Sequence, residues 1–252
     1  MILANAADAA KMKRRVTTAD GLETGVSIYF GVDAADASRP HPPLGALFPV
    51  AYRIDQDPGT QADPHFHQAN QFQVFVAGDG RFGKQPVGAV LAQYSQAFTP
   101  YGPIQAGDGG LSYLTLRNGW DPGGQFMPAM RDLLKASGRK PRAAASTKIE
   151  PAAPADLAAL AEPSLEVVLR LEDDGLGGWR HRVPPGRSFT GPEPSRGGGQ
   201  YWIVLAGSDV SDAVPLLPLA CLFVAPGDPA RVATAGAGGL EVLVLQFPVT
   251  AP

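Results

Sequence analysis

Two histidines, His65 and His67, stand one residue apart in a stretch that is predicted to be a β-strand. Side chains at positions i and i+2 of a strand point to the same face, so the two imidazoles are predicted to project together. Converging imidazoles are a common beginning of a site for Zn, Fe, Mn or Ni. Two imidazoles alone seldom hold such an ion, so further ligands must come from other parts of the chain.

The strand with this pair belongs to a segment that recurs later in the chain. The stretch QFQVFVAGDG from Gln71 matches QYWIVLAGSD from Gln200, and GLSYLTLR from Gly110 matches GLEVLVLQ from Gly239. Both pairs are separated by 129 residues. A repeat of this length indicates two copies of one domain rather than a solenoid.

Both copies consist of short runs of β-branched and aromatic residues, separated by Gly, Pro or Asp about every ten residues. This spacing predicts antiparallel strands in a sandwich or barrel. Between the copies, residues 127–138 and 155–163 are predicted to form short helices. We therefore predict domains at residues 1–118 and 163–252, joined by a helical linker at residues 119–162.

The composition is that of a soluble globular protein, with 44% apolar residues and a net charge of −3. No apolar run approaches the roughly 20 residues that cross a bilayer, and the N-terminus lacks the order of a secretion signal. No dense basic face is present to bind phosphates. We expect a cytoplasmic protein without a membrane or nucleic-acid partner. Cys221 is the single cysteine, which excludes an intrachain disulfide, and its apolar surroundings predict a buried, unreactive thiol.

The spacing around the histidine pair resembles the first motif of the cupin superfamily. That motif has glycine, five residues, His-x-His, three or four residues, glutamate, six residues and glycine. Gly59, the two histidines, Gln71 and Gly78 fit every spacing, with Gln71 where the family has glutamate. The resemblance implies an all-β fold of two double-stranded β-helix (jelly-roll) barrels with a short helical linker.

The second motif of the cupins also has a counterpart. It runs proline, any residue, glycine, two residues and histidine; Pro100 and Gly102 fit it, and Gln105 stands where the family has histidine. A glutamine carbonyl can ligate a metal but is a weaker donor than a carboxylate or an imidazole. The resemblance thus assigns four residues to the ligand positions of a divalent metal: His65, His67, Gln71 and Gln105.

Three interpretations of this site remain open. In the first, the four residues hold a divalent ion that polarises a carbonyl or enolate. In the second, no metal binds, and the same side chains orient a ligand or transfer a proton, with a histidine as the base. In the third, the pair is a relic in a barrel without a ligand. Asp63 could add a carboxylate, but its position before Pro64 favours a solvated turn.

The first interpretation predicts a metal-dependent enzyme on a small organic, aromatic or carbonyl-bearing substrate, such as an oxygenase, isomerase or cyclase. The alternative is a non-catalytic bicupin that binds or senses a small ligand without metal. Neither assigns a catalytic residue. Many aromatic residues and no Arg or Lys cluster near the motif favour an apolar ligand over a sugar phosphate. Four residues are predicted to contact the ligand: Gln73, Phe75, Tyr101 and Tyr113.

The second copy lacks the histidine pair, and only Gln200 persists from the ligand positions. We predict no metal in the C-terminal barrel, which is then structural or forms a homodimer through sheet edges. His181 lies among arginines and is predicted to be a surface group. Arg196, near the place of the second histidine, is a candidate for binding an anion.

Overall fold

The structure is a computed structural model that describes residues 1–31 and 40–249. It is 49% strand and 8% helix, with antiparallel sheets, which confirms the predicted all-β class. The chain divides into two compact units. The first unit is Ala10–Lys148, and the second unit combines Met1–Ala9 with Ile149–Pro252.

Short strands make up most of both units. The chain begins with β1 (Ile2–Ala4) and α1 (Ala6–Lys11). It continues with β2 (Arg14–Thr17), β3 (Glu23–Phe30), β4 (Leu47–Gln56), β5 (Gln61–Ala62), β6 (His65–Phe66), β7 (Gln71–Phe82), β8 (Gln85–Gly88), β9 (Leu91–Ser95), β10 (Ile104–Gly119), β11 (Gln125–Phe126), α2 (Arg131–Ala136) and β12 (Ala143–Ala145). The remainder comprises α3 (Pro154–Ala158), β13 (Ser164–Leu169), β14 (Gly177–Val183), β15 (Ser188–Thr190), a 3-10 helix (Pro194–Arg196), β16 (Gln200–Asp209), β17 (Cys221–Val224) and β18 (Val232–Gln246).

The main sheet of the first unit has the order β12-β9-β7-β10-β4-β3-β2. In its register, Gln71 on β7 lies directly opposite Arg117 on β10, and Phe75 lies opposite Tyr113. Because side chains alternate along a strand, Gln71, Gln73 and Phe75 share one face. Phe75 and Tyr113 belong to one buried apolar cluster, so this face is the interior of the barrel.

The sheet of the second unit has the order β1-β17-β16-β18-β14-β13. Its interior is filled by large apolar side chains, among them Trp179, Phe189 and Trp202, which are all buried in one cluster. The stacked rings of Phe189 and Trp202 have centroids 5.4 Å apart. Close packing of this kind stabilises the barrel by burying apolar surface.

The two units differ from the predicted domain boundaries at both ends. Residues 119–148, predicted as linker, belong to the first unit, because β11 pairs with β6 and β12 extends the main sheet at β9. Residues 1–9 belong to the second unit, because β1 pairs with β17. The two predicted helices are present as α2 and α3, and both are shorter than predicted.

Three further predictions concern the second unit. Cys221 is buried, and burial raises the pKa of its thiol, as an unreactive structural cysteine requires. The surface assignment of His181 is wrong, because strand alternation puts it on the interior face, where its ring stacks on Phe189 at 4.1 Å. Arg196 ends the 3-10 helix and is exposed.

No helix in the described part of the chain is long and apolar enough to span a membrane.

Candidate functional site

The two histidine rings lie close together at one end of the first barrel. His65 is on β6, and its backbone N–H and C=O both pair with Tyr101, at 3.0 Å each. This bridge holds the second motif against the first. The imidazoles of His65 and His67 are perpendicular, with centroids 5.2 Å apart. Phe66, between them, is fully buried and packs against Phe98. The predicted convergence of the pair is therefore present.

Each imidazole is held in one tautomer. His65 Nδ1 lies 2.6 Å from the carbonyl oxygen of Asp63, which can only accept, so Nδ1 carries the proton and Nε2 has the lone pair. Burial, followed by the nearby His67, lowers the pKa of His65 to about 4. His67 Nδ1 lies 2.7 Å from Oδ1 of Asp121 and donates to it. Burial and the charge of Arg117 lower the pKa of His67. Both imidazoles are thus neutral, with Nε2 as a hydrogen-bond acceptor.

Asp121 is a fully buried carboxylate that accepts four hydrogen bonds. Besides His67, its oxygens accept the backbone N–H groups of Gln68 at 2.7 Å, Ala69 at 3.2 Å and Gly123 at 2.8 Å. Burial works against its ionisation, but the neighbouring charges and these hydrogen bonds lower the pKa of Asp121. The carboxylate therefore fastens the loop after β10 to the histidine segment.

Arg117 is a fully buried cation in the middle of the cluster. Its Nε donates to Oε1 of Gln71 at 3.0 Å, and Nη1 lies 3.6 Å from Oδ1 of Asp121. Nη2 lies 3.1 Å from Nδ1 and 3.2 Å from Nε2 of His67. Because these two distances are nearly equal, Nη2 lies over the face of the imidazole rather than in line with a lone pair. The guanidinium also lies 5.6 Å from the ring centroid of Tyr52.

Gln71, the residue in the glutamate position, is engaged at both ends. Its Oε1 accepts from Arg117, and its Nε2 donates to the hydroxyl of Tyr101 at 2.5 Å. Burial raises the pKa of Tyr101, so this phenol stays protonated. Gln71 therefore joins Arg117 to Tyr101, whose ring lies 4.6 Å from that of His65.

Gln105 does not join the histidines. Its side chain is exposed and donates to Oε1 of Gln61 on β5 at 2.8 Å. Alternation along β10 explains this position, because the adjacent Ile104 takes the interior place and is fully buried. Gln105 therefore lies apart from the histidines and is not in a position to share a ligand with them. Asp63 is also exposed and accepts from Gln61 at 3.0 Å, as expected for a turn.

A cavity of about 310 Å³ opens beside the two histidines. Of the four predicted ligand contacts, Tyr113 lines it, whereas Gln73, Phe75 and Tyr101 are buried and are not among its described lining residues. Oε1 of Gln73 has no hydrogen-bond partner in the described structure. Residues of β2, β3, β4 and the loop after β10 form half of its described lining. The described lining consists of Val16, Thr17, Thr18, Ala19, Leu22, Thr24, Val26, Tyr52, Ile54, Ala62, His65, His67, Tyr113, Arg117, Pro122, Gly123, Gly124 and Phe126.

The residues present do not fit a resident divalent ion. In the described ranges, no group of three or more His, Cys, Asp or Glu side chains is arranged to hold a metal. The carbonyl of Gln71 accepts from a cation, and the oxygens of Asp121 are engaged by four donors. Two neutral imidazoles beside a guanidinium leave the charge of a divalent ion without an anionic ligand.

The second barrel has different residues at the positions equivalent to this cluster. Gln200 and Gln246 lie opposite each other, as Gln71 and Arg117 do 129 residues earlier, and are bonded to each other at 2.9 Å. The position of Gln73 is occupied by Trp202, whose Nε1 donates to Gln200 at 3.1 Å. Trp202 and a pair of neutral amides in the second barrel thus stand where the first has Gln73, Gln71 and Arg117.

Comparisons with known proteins identify the fold. No family model matches this sequence, and no curated protein does. A proposed dioxygenase from Nostoc punctiforme is similar over 97% of this chain and 86% of its own, with 11% identity and a TM-score of 0.61. Bacterial pirin YhhW from Escherichia coli, in complex with nickel(II), is similar over 98% of this chain and 99% of its own, with 13% identity and a TM-score of 0.56. The formate complex of Lactobacillus farciminis oxalate decarboxylase is similar over 95% and 84%, with 12% identity and a TM-score of 0.53.

These structures are cupin-fold proteins. The chain therefore has the cupin fold, in two barrels, as the motif spacing predicts. At 11 to 13% identity the likeness concerns the fold, and the chemistry of the site must be argued from this chain's own residues.

Sequence reasoning missed two residues of the cluster. No Arg or Lys cluster was predicted near the motif, and Arg117, a single arginine, lies against both His67 and Gln71. A signal was available, because Arg117 occupies an interior position of β10, in phase with Tyr113, where a charge needs a partner. Asp121 was assigned to the linker, and nothing in the DPGG stretch that it begins indicates a partner for a histidine.

Proposed function

We propose that the first unit binds a small organic molecule in its cavity and acts on it through hydrogen bonds and proton transfer, without a resident metal ion. The observation that carries this proposal is the position of Arg117, packed over His67 and bonded to Gln71. These are two of the residues that the cupin resemblance assigns to metal binding. The cavity of about 310 Å³ is at the small end of the range for ligand sites.

Electrostatics favour this function over a metal centre. Two unit charges about 4 Å apart interact by about 4 kcal/mol at an effective dielectric constant of about 20, and a divalent ion doubles the repulsion from a guanidinium. Asp121 offsets the charge of Arg117 itself and has no free oxygen for a second cation. The site is therefore close to neutral as it stands and would be strongly positive with a divalent ion.

The neutral imidazoles supply the chemistry. His67 has its Nδ1–H bonded to Asp121, an arrangement that fixes the ring and stabilises the cation formed when Nε2 accepts a proton. His65 has the same tautomer and lines the same cavity. A ligand hydroxyl or N–H can donate to either Nε2, which makes the pair suited to orienting a polar group or to removing a proton from it.

A metal-dependent enzyme is the second candidate, and one observation favours it. Both Nδ1 atoms donate to oxygen acceptors, and in many metalloproteins a hydrogen bond of this kind orients the imidazole so that Nε2 points toward a metal. The nickel(II) complex of pirin YhhW shows that a protein of this fold holds such an ion. In this chain, a metal would have to bind at His65 and His67 despite Arg117.

Metal analysis of protein purified without a histidine tag separates the two candidates. We expect well under one equivalent of Ni, Mn, Fe or Zn, with no difference between the wild type and His65→Ala. Stoichiometric metal that is lost in His65→Ala contradicts the metal-free proposal. The same preparation, treated with EDTA, is then screened with a fragment library by ligand-observed NMR.

The screen tests whether the cavity binds small molecules. We expect hits that compete with one another and that are lost in Val26→Phe, because Val26 lines the cavity and a phenyl group would fill part of it. The matched control is Val167→Phe, at an exposed position in the second unit, which should retain all hits. Hits that survive Val26→Phe, or binding that appears only after metal is added, contradict the proposal.

A further inference from the structure

We infer that the ligand of this cavity is a small hydroxycarboxylic acid, with its carboxylate bound at Arg117 and its hydroxyl donating to a histidine. The inference rests on the proposed function and adds the chemical class of the ligand. It is carried by the charges and the hydrogen-bonding groups that face the cavity.

Arg117 is the one described lining residue with a formal charge. The rest of the described lining consists of the two histidines and of apolar, aromatic or hydroxyl-bearing residues, with no Asp, Glu or Lys among them. Asp121 balances Arg117 but is not among the described lining residues, and its oxygens are held by His67 and three backbone amides. A ligand in the cavity therefore meets the cation and not its counterion.

The second nearby carboxylate, Asp20, also accepts hydrogen bonds from other parts of the chain. Asp20 follows the lining residue Ala19, and its oxygens accept the hydroxyl of Thr18 and the backbone N–H of Asp63. Asp20 is itself not among the described lining residues. Arg117 is thus the charged group that a ligand in the cavity meets, and a guanidinium forms strong hydrogen bonds to a carboxylate.

A single arginine favours a monoanion. A phosphate ester carries up to two negative charges, and with one cation, already partly offset by Asp121, the second charge would be buried without a partner. A carboxylate brings one charge. The apolar part of the wall, including Val26, Ile54 and Phe126, then packs against the hydrocarbon part of the ligand.

The histidines require a donor on the ligand. Both Nε2 atoms are acceptors, because both Nδ1 atoms carry the proton. A bare carboxylate has no proton to donate to them, and its lone pairs would repel theirs. Nη2 of Arg117 lies only 3.2 Å from Nε2 of His67, so the donor and the acceptor of the site are adjacent. A hydroxyl near the carboxylate meets both requirements.

The test compares matched ligands by isothermal titration on EDTA-treated protein. The probes are mandelate and 2-hydroxyhexanoate, each with its amide and with the acid that lacks the hydroxyl. We expect at least one hydroxy acid to bind about ten- to a hundredfold more tightly than its amide, the range for a hydrogen-bonded charged group. Removal of the hydroxyl should weaken binding as well, since a histidine then loses its donor.

Variants test whether the preference for acid over amide depends on Arg117. Arg117→Gln reproduces the glutamine pair that the second barrel has at the same position, and it should abolish the preference for acid over amide. Arg81→Gln removes the same charge from an exposed position of the first unit and should leave the preference intact. If Arg117→Gln does not fold, the preference for acid over amide is measured on Arg117→Lys instead and compared with that of the wild type.

The outcomes separate this inference from the proposed function. Amides that bind as tightly as acids, in a manner abolished by Val26→Phe, overturn the carboxylate assignment and leave the small-molecule site in place. A preference for acids that persists in Arg117→Gln overturns the role of Arg117. If neither these acids nor their amides bind and the fragment screen also finds no hit, both the inference and the proposed function fail.

Discussion

Replacement of Asp121 by asparagine is expected to destabilise the first unit by about 3 to 5 kcal/mol. The wild-type carboxylate accepts four hydrogen bonds, two on each oxygen, and its side chain is fully buried. Asparagine keeps the shape but has one acceptor oxygen, so two of the four donors lose their partner. Hydrogen bonds to a charged group contribute roughly 1.5 to 3 kcal/mol each, and Arg117 also loses its counterion.

Urea unfolding at pH 7, followed by fluorescence, measures this change. Trp120 is the one tryptophan in residues 10–148, whereas Trp179 and Trp202 are in the second unit, so the transition of each unit can be assigned with single-tryptophan variants. Asp108→Asn is the matched control, because Asp108 is exposed in the same unit. The control should change stability by less than about 0.5 kcal/mol.

The pH dependence provides an independent check with a definite sign. The pKa of Asp121 is lowered in the folded protein, so its contribution is fully present above the unfolded value of about 4 and is lost as pH falls through the folded value. The difference between the wild type and Asp121→Asn should therefore be constant above about pH 5 and narrow only in stronger acid. A loss below about 1 kcal/mol at pH 7, or a difference that vanishes near pH 6, would refute this account of the carboxylate.

Two further predictions concern single residues. Burial lowers the pKa of His181 to about 4, so about 3 kcal/mol of stability of the second unit should be present above pH 6.5 and lost as pH falls toward 4; urea titrations should show this loss in the wild type and not in His181→Gln. Gly78→Ala should destabilise the first unit by at least about 2 kcal/mol in the same assay, because φ is 73° and the added Cβ would lie 2.1 Å from the carbonyl oxygen of Gly110. Gly59→Ala, at φ 69° with nothing within 4 Å, should cost only about 1 kcal/mol, and equal losses at the two glycines would contradict the steric argument.

The fold could be predicted from the sequence because the backbone positions that require glycine are set by local contacts and recur in both barrels. Gly78 and Gly207 both have positive φ and lie against the carbonyls of Gly110 and Gly239, at equivalent places in the two barrels. Each of these positions requires a residue without Cβ, so the spacing of the glycines persists where other side chains have changed. Gly78 is also the last glycine of the stretch that resembles the first cupin motif, so that spacing includes one of these positions.

Only part of the site could be predicted from the sequence, because which residues meet there depends on the register between strands. The convergence of His65 and His67 follows from strand alternation within three residues. The contact of Arg117 with Gln71 depends instead on how β10 pairs with β7, across 46 residues of chain. Gln105 was misplaced for a related reason: the motif gives its position along the chain, but alternation on β10 turns it outward.

The second unit shows the same limit in another form. His181 stands between two arginines in the sequence, a polar setting that suggests solvent. On β14 the neighbours along the chain face the opposite side, and the relevant environment is Phe189 and Trp202 on other strands. Local polarity is therefore a poor guide to burial on a strand whose two faces differ.

The pairing of β1 with β17 makes the first unit an insertion in the chain. Residues 10–148 are continuous and contain every residue of the His65–Arg117–Asp121 cluster, whereas the second unit is assembled from segments that lie on both sides of them. During synthesis, the first unit has all its strands available before the last strands of the second unit have left the ribosome. Because β1 pairs with β17, the sheet of the second unit can be completed only when residues beyond 220 are present, after the whole of the first unit has been made.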